Sequence, residues 1–408
     1  MRPLEATLRA AMESTHMPDS LDLRALRDIG LTHDTVQAAL ARPRPDCSRL
    51  ARVIEIQRDH VVVHDGDDTH TAAVWPTLRV ALELAREVLV VGDWVWWRAA
   101  AVGERGWAVE RLAARNRLTR RDPAGGRQGL VANIDTALLV MGLDHDFNLR
   151  RLDRFLVLAH SALARAVVVL TKADGHPDPA SAIARVRAHL GAAGGRDGHA
   201  RDDEMLARDG DARAHDGGTP AHEGDALAAN KIDVVAVDGR SPMAADVLSP
   251  WLARGSTLVM LGSSGAGKTT LANTLTGADS LTGAVRDSDE RGQHTTTVRT
   301  LRRTAGGACL IDTPGLRQLW LDTGAGDLQG AFPEIGRLAA QCRYRNCRHE
   351  SEPGCAVRET VPPERLKSFH KLLREARRDQ VDVFERRRQV AVHKQRTRDN
   401  RQRQEGHE

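Results

Sequence analysis

The sequence predicts an α/β fold, a parallel sheet covered by helices, with a small β-barrel before it and a cysteine-rich module after it. Three observations predict this. From Asn133 onward, strand-like and helix-like runs alternate, which implies parallel strands joined by helical crossovers. The glycine-rich stretch Gly262–Thr269 stands between an apolar strand and a helix. Short β-rich runs with Asp-Gly and Gly-Asp punctuation crowd residues 48–112.

Composition narrows the classes. A chain of 408 residues has room for two to three domains. Its apolar share of 41% supports globular cores, and no apolar run approaches the ~18 residues that span a bilayer. The first twenty residues carry Glu5, Glu13 and Asp19 without an apolar stretch, so no secretory signal is read and a cytoplasmic location is expected. Cys47 and Cys309 stand alone, while Cys342, Cys347 and Cys355 sit together, which favours local metal binding over a disulfide framework. The formal charge of +4 is small, so charge distribution says more than the total. Residues 365–408 hold fourteen Lys/Arg against seven Asp/Glu.

Residues 1–47 contain helical pieces and end in the helix-breaking "RPRPDC", so they read as a loosely attached extension. Next, "RVIEIQ", "HVVVHDG", "VLVVGDWVWWR" and "WAVERL" are short strands of a barrel, and an OB-type barrel is the commonest of that size. The alternating region then runs through "TALLVMGL", "NLRRLDRFLVLAHSAL", "RAVVVLTKAD", a helix near 179–190, "IDVVAVDG", a helix near 243–253, "STLVMLG" and "KTTLANTLTG". Between Gly191 and Asn230 lie eight glycines, nine acids and four arginines. So little apolar surface cannot offset the entropy of ordering, and a disordered surface insertion is expected.

Gly262-Ser263-Ser264-Gly265-Ala266-Gly267-Lys268-Thr269, followed by Thr270, fits the G-x-x-x-x-G-K-[ST] phosphate loop in its required context. Its glycines let backbone N–H groups face the phosphates at a helix N-terminus. Lys268 is expected to reach the β- and γ-phosphates and the Thr269 hydroxyl to bind Mg²⁺. Downstream, "CLIDTPGL" offers Asp312 to hold Mg²⁺ through water and the Gly315 N–H to meet the γ-phosphate. Between them "RGQHTTTVR" offers Thr295, Thr296 and Thr297, any of which can complete the metal shell; Thr296 stands for the set. About 90 residues before the phosphate loop, Thr171-Lys172-Ala173-Asp174 ends an apolar strand and resembles the guanine-reading motif Asn-Lys-x-Asp. Asp174 would accept the base N1–H and N2–H₂ protons, with the Lys172 stem along the ring. A base motif ahead of its phosphate loop is the order that circular permutation produces, since permutation moves the termini and keeps spatial neighbours.

The order TKAD, GSSGAGKTT, GQHTTT, DTPG and then the cysteine cluster, with "NIDTALLVMGLDHDFNLRRLDRFLVLA" and "CRYRNCRHESEPGCAV", resembles the circularly permuted ribosome small-subunit-dependent GTPase A family, RsgA, from about Ser48 to His370. The resemblance implies an OB-fold domain over 48–115, a permuted P-loop GTPase domain over 116–325, and a zinc-binding α-helical domain with a basic tail over 326–408. It implies GTP bound with Mg²⁺ and hydrolysed to GDP, stimulation by the 30S ribosomal subunit and action in its late maturation, with 16S rRNA as a partner, no membrane and a monomeric chain. Leu316 stands where many GTPases carry a water-positioning glutamine, and the family's candidate for that work is a histidine corresponding to His294, whose pKa range suits it. Two departures bear on the base site. Thr171 replaces the usual asparagine, and Asp238-Gly239 stands where the family has a serine-rich loop.

Cys342-x₄-Cys347-x-His349-x₅-Cys355 supplies three sulfurs and one nitrogen, the ligand set of a closed structural zinc site. The basic tail and the barrel point to RNA, because Lys/Arg contacts to phosphate supply sequence-independent affinity. Two rival readings remain open at this level: a P-loop ATPase or nucleotide kinase, and a non-hydrolysing zinc/OB adaptor for RNA.

Overall fold

The computed structural model describes residues 23–100, 105–121, 127–190, 232–277, 299–313, 328 and 330–377. The acidic insertion, His294, Thr295–Thr297, Gly315 and the tail beyond 377 lie outside these. Five strands form the barrel: β1 (Ser48–Ile56), β2 (Val61–His64), β3 (Thr69–Val74), β4 (Trp94–Arg98) and β5 (Gly106–Arg111). They close in the order β1-β2-β3-β5-β4-β1, antiparallel except for the parallel β3–β5 pair. Helix α3 (Pro76–Ala85) connects β3 to β4 and packs Leu78 and Leu82 into the barrel core. Strand β4 shows how period-2 patterning is used. Val95 and Trp97 point into that core, while Trp94 and Trp96 face outward.

The outward tryptophans explain a departure from expectation. Residues 23–40 are not loosely attached: α1 (Leu23–Asp28) and α2 (His33–Leu40) set Leu26, Ile29 and Leu31 against Leu50, Trp94, Trp96 and Leu112. Without them a large apolar patch on the barrel would face water.

The second sheet contains β8 (Thr136–Gly142), β9 (Arg165–Thr171), β10 (Asp233–Ala236), β11 (Thr257–Leu261), β12 (Thr300–Arg303) and β13 (Cys309–Asp312), in spatial order 10-9-8-11-13-12. All but β12 run parallel. Strands β8 and β11 are buried along their whole length, as central parallel strands covered on both faces must be. Helices α4 (Leu149–Ser161) and α5 (Pro179–His189) cover one face, and α6 (Met243–Leu248) and α7 (Lys268–Thr276) the other. A hairpin of β6 (Arg117–Arg121) and β7 (Arg127–Ala132) precedes β8.

Strand β12 also pairs with β1 of the barrel, at Glu55 and Thr300. A bulge between Val53 and Glu55 bends β1 so that it can leave the barrel and join the larger sheet. Behind this junction Arg52 is fully buried. Its guanidinium donates to the Ile29 carbonyl, to Thr257 Oγ1 at 2.9 Å and to the Asn133 carbonyl at 3.1 Å, and lies over the Trp94 ring. Gly30, at φ +93°, is needed there, because a Cβ would come within 2.0 Å of Arg52 Nη1.

After the second sheet, α8 (Pro333–Ala339), α9 (Ala356–Thr360) and a helix α10 over residues 363–377 pack Phe332, Ile335, Val357, Val361, Phe369 and Leu372 into the core that contains α4. No helix among the described residues is long and apolar enough to cross a membrane.

Removing the Arg52 guanidinium would leave the acceptors it serves buried and unpaired. Arg52→Ala is expected to lower stability by about 3 kcal/mol, read as a shift of the denaturant midpoint.

Candidate functional site

The glycine-rich loop leaves β11 at the carboxyl edge of the parallel sheet, where open α/β sheets hold their ligands. Its path has little freedom. A Cβ on Gly262 would sit 2.4 Å from the Val140 carbonyl oxygen, and Gly265 and Gly267 take φ of +85° and +86°, values that favour glycine. Lys268 begins α7 with a buried side chain, and its ammonium donates to the carbonyls of Gly262 at 2.9 Å and Ser263 at 2.7 Å. Burial pushes the Lys268 pKa down, against the opposing charges of Asp312 and Asp146. Thr269 and Thr270 are exposed on the first turn of α7.

Asp312 ends β13, the strand beside β11, and is buried near Lys268. Burial raises its pKa, while the Lys268 and Arg302 charges act the other way. The adjacent Thr313 hydroxyl donates to the Met260 carbonyl at 2.5 Å and so ties the end of β13 to β11.

The segment Thr171-Lys172-Ala173-Asp174 comes to the same edge from β9. Thr171 is buried, and its hydroxyl donates to the Ala266 carbonyl at 2.6 Å, so the shorter side chain still reaches the glycine-rich loop. Lys172 adopts a left-handed backbone (φ 60°), which is uncommon for a non-glycine residue. Its ammonium donates to the Gly265 carbonyl and to Asp144 Oδ2, both at 2.7 Å. Asp174 lies in a short turn over Ala173–Gly175 with its side chain exposed. The loop after β10 closes this side: Ala173 N–H donates to the Val237 carbonyl at 3.3 Å and the Thr274 hydroxyl to the Gly239 carbonyl at 2.7 Å. Asp238 accepts from the Arg240 N–H at 2.9 Å, so one of its oxygens serves its own loop.

The residues at 171–174, 262–269 and 312 therefore converge, although about 140 positions separate the first from the last. His294, Thr296 and Gly315 lie outside the described residues. Sequence reasoning missed Asp144 and Asp146, on the loop after β8. Their signal was available as "LDHD" at the carboxyl end of an apolar strand.

The second site is separate. Cys342, Cys347, His349 and Cys355 bring one ligand atom each to within 4.8 Å of one another. Cys342 Sγ is 3.6 Å from His349 Nδ1 and 3.9 Å from Cys355 Sγ, and His349 Nδ1 is 3.4 Å from Cys355 Sγ. A tetrahedron with bonds of about 2.3 Å to sulfur and about 2.0 Å to nitrogen separates its ligands by about 3.5–3.8 Å. The donor set and the spacing both fit a metal ion.

The family model for the RsgA GTPase matches residues 112–196 and 218–322. The small ribosomal subunit biogenesis GTPase RsgA of Xylella fastidiosa (strain M23) is 39% identical over 352 residues, covering 83% of this chain and 91% of that one. The protein of the same name from Xanthomonas oryzae pv. oryzae (strain MAFF 311018) is 39% identical over 336 residues, covering 79% of each. Among solved structures, YjeQ from Thermotoga maritima aligns over 81% of this chain and 98% of its own, with a TM-score of 0.55 and 21% identity. YloQ, described as a circularly permuted GTPase, covers 81% and 95% with a TM-score of 0.51 and 20% identity. These two carry the fold alone.

Thr171→Val keeps the side chain's shape and removes its hydroxyl, leaving the Ala266 carbonyl without that donor. Calorimetry is expected to find GDP bound about fivefold to tenfold more weakly. Metal analysis of the purified chain is expected to return one ion, and Cys355→Ser to lower that occupancy together with the melting temperature.

Proposed function

The chain belongs to the RsgA GTPase family, and from that premise we propose that it binds the 30S subunit through 16S rRNA and hydrolyses GTP to GDP and phosphate in late subunit maturation, with the subunit stimulating turnover. The observation that carries this reading is the contact of base motif and phosphate loop through Thr171 with Ala266 and Lys172 with Gly265. That contact builds one site in which Asp174 can read guanine while Gly262–Thr269 takes the phosphates. Adenine has an acceptor at N1 and no amino group at C2, so the Asp174 carboxylate disfavours it.

In this site the loop N–H groups and the Lys268 ammonium bind the β- and γ-phosphates. Thr269, Asp312 and a threonine of the 295–297 run, Thr296 in our assignment, would hold Mg²⁺, which when bound neutralises charge that develops on the phosphates. The Gly315 N–H meets the γ-phosphate. Leu316 cannot orient water, and His294 takes that role by accepting a hydrogen bond from the attacking water. Without a glutamine the intrinsic reaction is expected to be slow, and the subunit is assigned the role of stimulating it through His294.

The cluster of Cys342, Cys347, His349 and Cys355 is assigned to one structural zinc ion, since four protein ligands leave no open position. The segment with Gly315 runs directly into this module, so loss of the γ-phosphate contact can alter how the module and the basic residues beyond it meet RNA. The chain is assigned as a cytoplasmic monomer.

Turnover measured with and without purified 30S subunits is the decisive test: a rate rise of tenfold or more is expected, and an unchanged rate rejects the reading. His294→Ala is expected to abolish most of the stimulated rate while GDP binding is retained. If stimulation survives that substitution, another group positions the water.

A further inference from the structure

The loop between β8 and α4, residues 143–148, lies between the two halves of the nucleotide site because β8 sits between β9 and β11 in the sheet. The loop is stiffened from within. Asp144 Oδ1 accepts from the Asp146 N–H at 2.9 Å, the Asp144 carbonyl from the Phe147 N–H at 3.0 Å, and Asn148 caps α4 by accepting from the Arg151 N–H at 3.1 Å. Leu143 N–H donates to the Thr171 carbonyl at 2.9 Å, which fixes the loop to the end of β9.

From this frame two carboxylates reach in opposite directions. Asp144 uses its second oxygen to accept from the Lys172 ammonium at 2.7 Å. Asp146, which is buried, accepts from the Ser263 hydroxyl at 2.5 Å and is paired with Arg151. An ammonium has three donors on a flexible four-carbon stem. Here one goes to Asp144 and one to the Gly265 carbonyl, and together they hold the stem in place between loop and base position.

We propose that Asp144 is a positioning residue for guanine-nucleotide binding, acting through Lys172, and that the β8–α4 loop uses Asp144 and Asp146 to hold the base-reading and phosphate-binding segments in fixed relation. This rests on the assignment of residues 171–174 as the base motif. Fixing the Lys172 stem before the nucleotide arrives removes an ordering cost from binding. Asp146 acts on the other half, through Ser263, and does not require Lys172.

The test is equilibrium titration of fluorescent GDP and ADP into the full chain and its Asp144, Asp146 and Lys172 variants, single and combined, with melting temperatures recorded. Asp144→Ala is expected to weaken GDP binding about tenfold, and Asp144→Asn about threefold, because the amide keeps one acceptor oxygen for the ammonium, without the charge and without a second acceptor for the Asp146 N–H. In a Lys172→Ala background, Asp144→Ala is expected to change the affinity by less than about twofold. Asp146→Asn is expected to weaken GDP binding in both backgrounds. An Asp144 effect of equal size with and without the lysine overturns the proposal, as does an unchanged affinity in Asp144→Ala; a purely structural aspartate would act whatever stands at 172. If Asp144→Ala fails to fold, Asp144→Asn carries the same comparison. A wild-type chain that binds ADP as well as GDP rejects the base-motif assignment itself, a different outcome from a guanine-selective chain in which Asp144 and Lys172 are uncoupled.

Discussion

Strand β1 belongs to two sheets at once, and the buried guanidinium of Arg52 holds the crossing point. A charge taken out of water needs dense hydrogen bonding to remain there. Arg52 finds it on the α1–α2 turn, at the start of β11 and on the turn into β8. Those acceptors come from the helical extension and from the central sheet, so the barrel cannot tilt against the sheet without stranding the charge. The pairing of β1 with β12 has a further consequence. Strand β12 is hydrogen-bonded on one side to the barrel and on the other to β13, which carries Asp312. The barrel and the phosphate end of the site are therefore two strands apart.

The nucleotide site is assembled under competing demands. Lys268 is buried among carbonyl oxygens, where burial weakens its hold on the proton and the Asp312 and Asp146 charges offset only part of that effect. Lys172 accepts a backbone conformation that costs of order 1 kcal/mol, which its contacts to Asp144 and Gly265 offset. Strain of this kind survives only where neighbours determine the geometry, and here the neighbours are the β8–α4 loop and the glycine-rich loop.

The metal-binding module is attached by a similar device. Arg365 of α10 is fully buried and donates to Glu334 Oε1 at 2.9 Å, to the Ala331 carbonyl at 2.8 Å and to Asp153 of α4, with its guanidinium 4.0 Å from the centre of the Phe332 ring. Asp153 also meets His189 Nε2 of α5 at 2.9 Å. Buried ion pairs contribute little net stability, yet losing one partner is costly. Such a network therefore specifies how the module docks more than it tightens the docking.

The fold class, the permuted order of the site, the phosphate loop and the Cys₃His ligand set were all legible in the sequence. Each is carried by contiguous residues whose spacing is dictated by local backbone geometry or by ligand chemistry, as in G-x-x-x-x-G-K-T or the strand that ends in T-K-A-D. The barrel was legible as a set of short strands, but the packing of residues 23–40 onto it was not, because the need for a cover comes from Trp94 and Trp96, which stand well over fifty positions further on. Thr171 shows the division most directly. By sequence it is a departure from the usual asparagine, and only its 2.6 Å contact with Ala266 makes it a brace. Arg52 and Arg365 lay beyond sequence reasoning for the same reason, and for Asp144 and Asp146 the stretch "LDHD" marks the place but not the partners. Their partners are up to 212 residues away, and no periodicity or motif records which distant carbonyl or ammonium a folded chain will bring within hydrogen-bond reach.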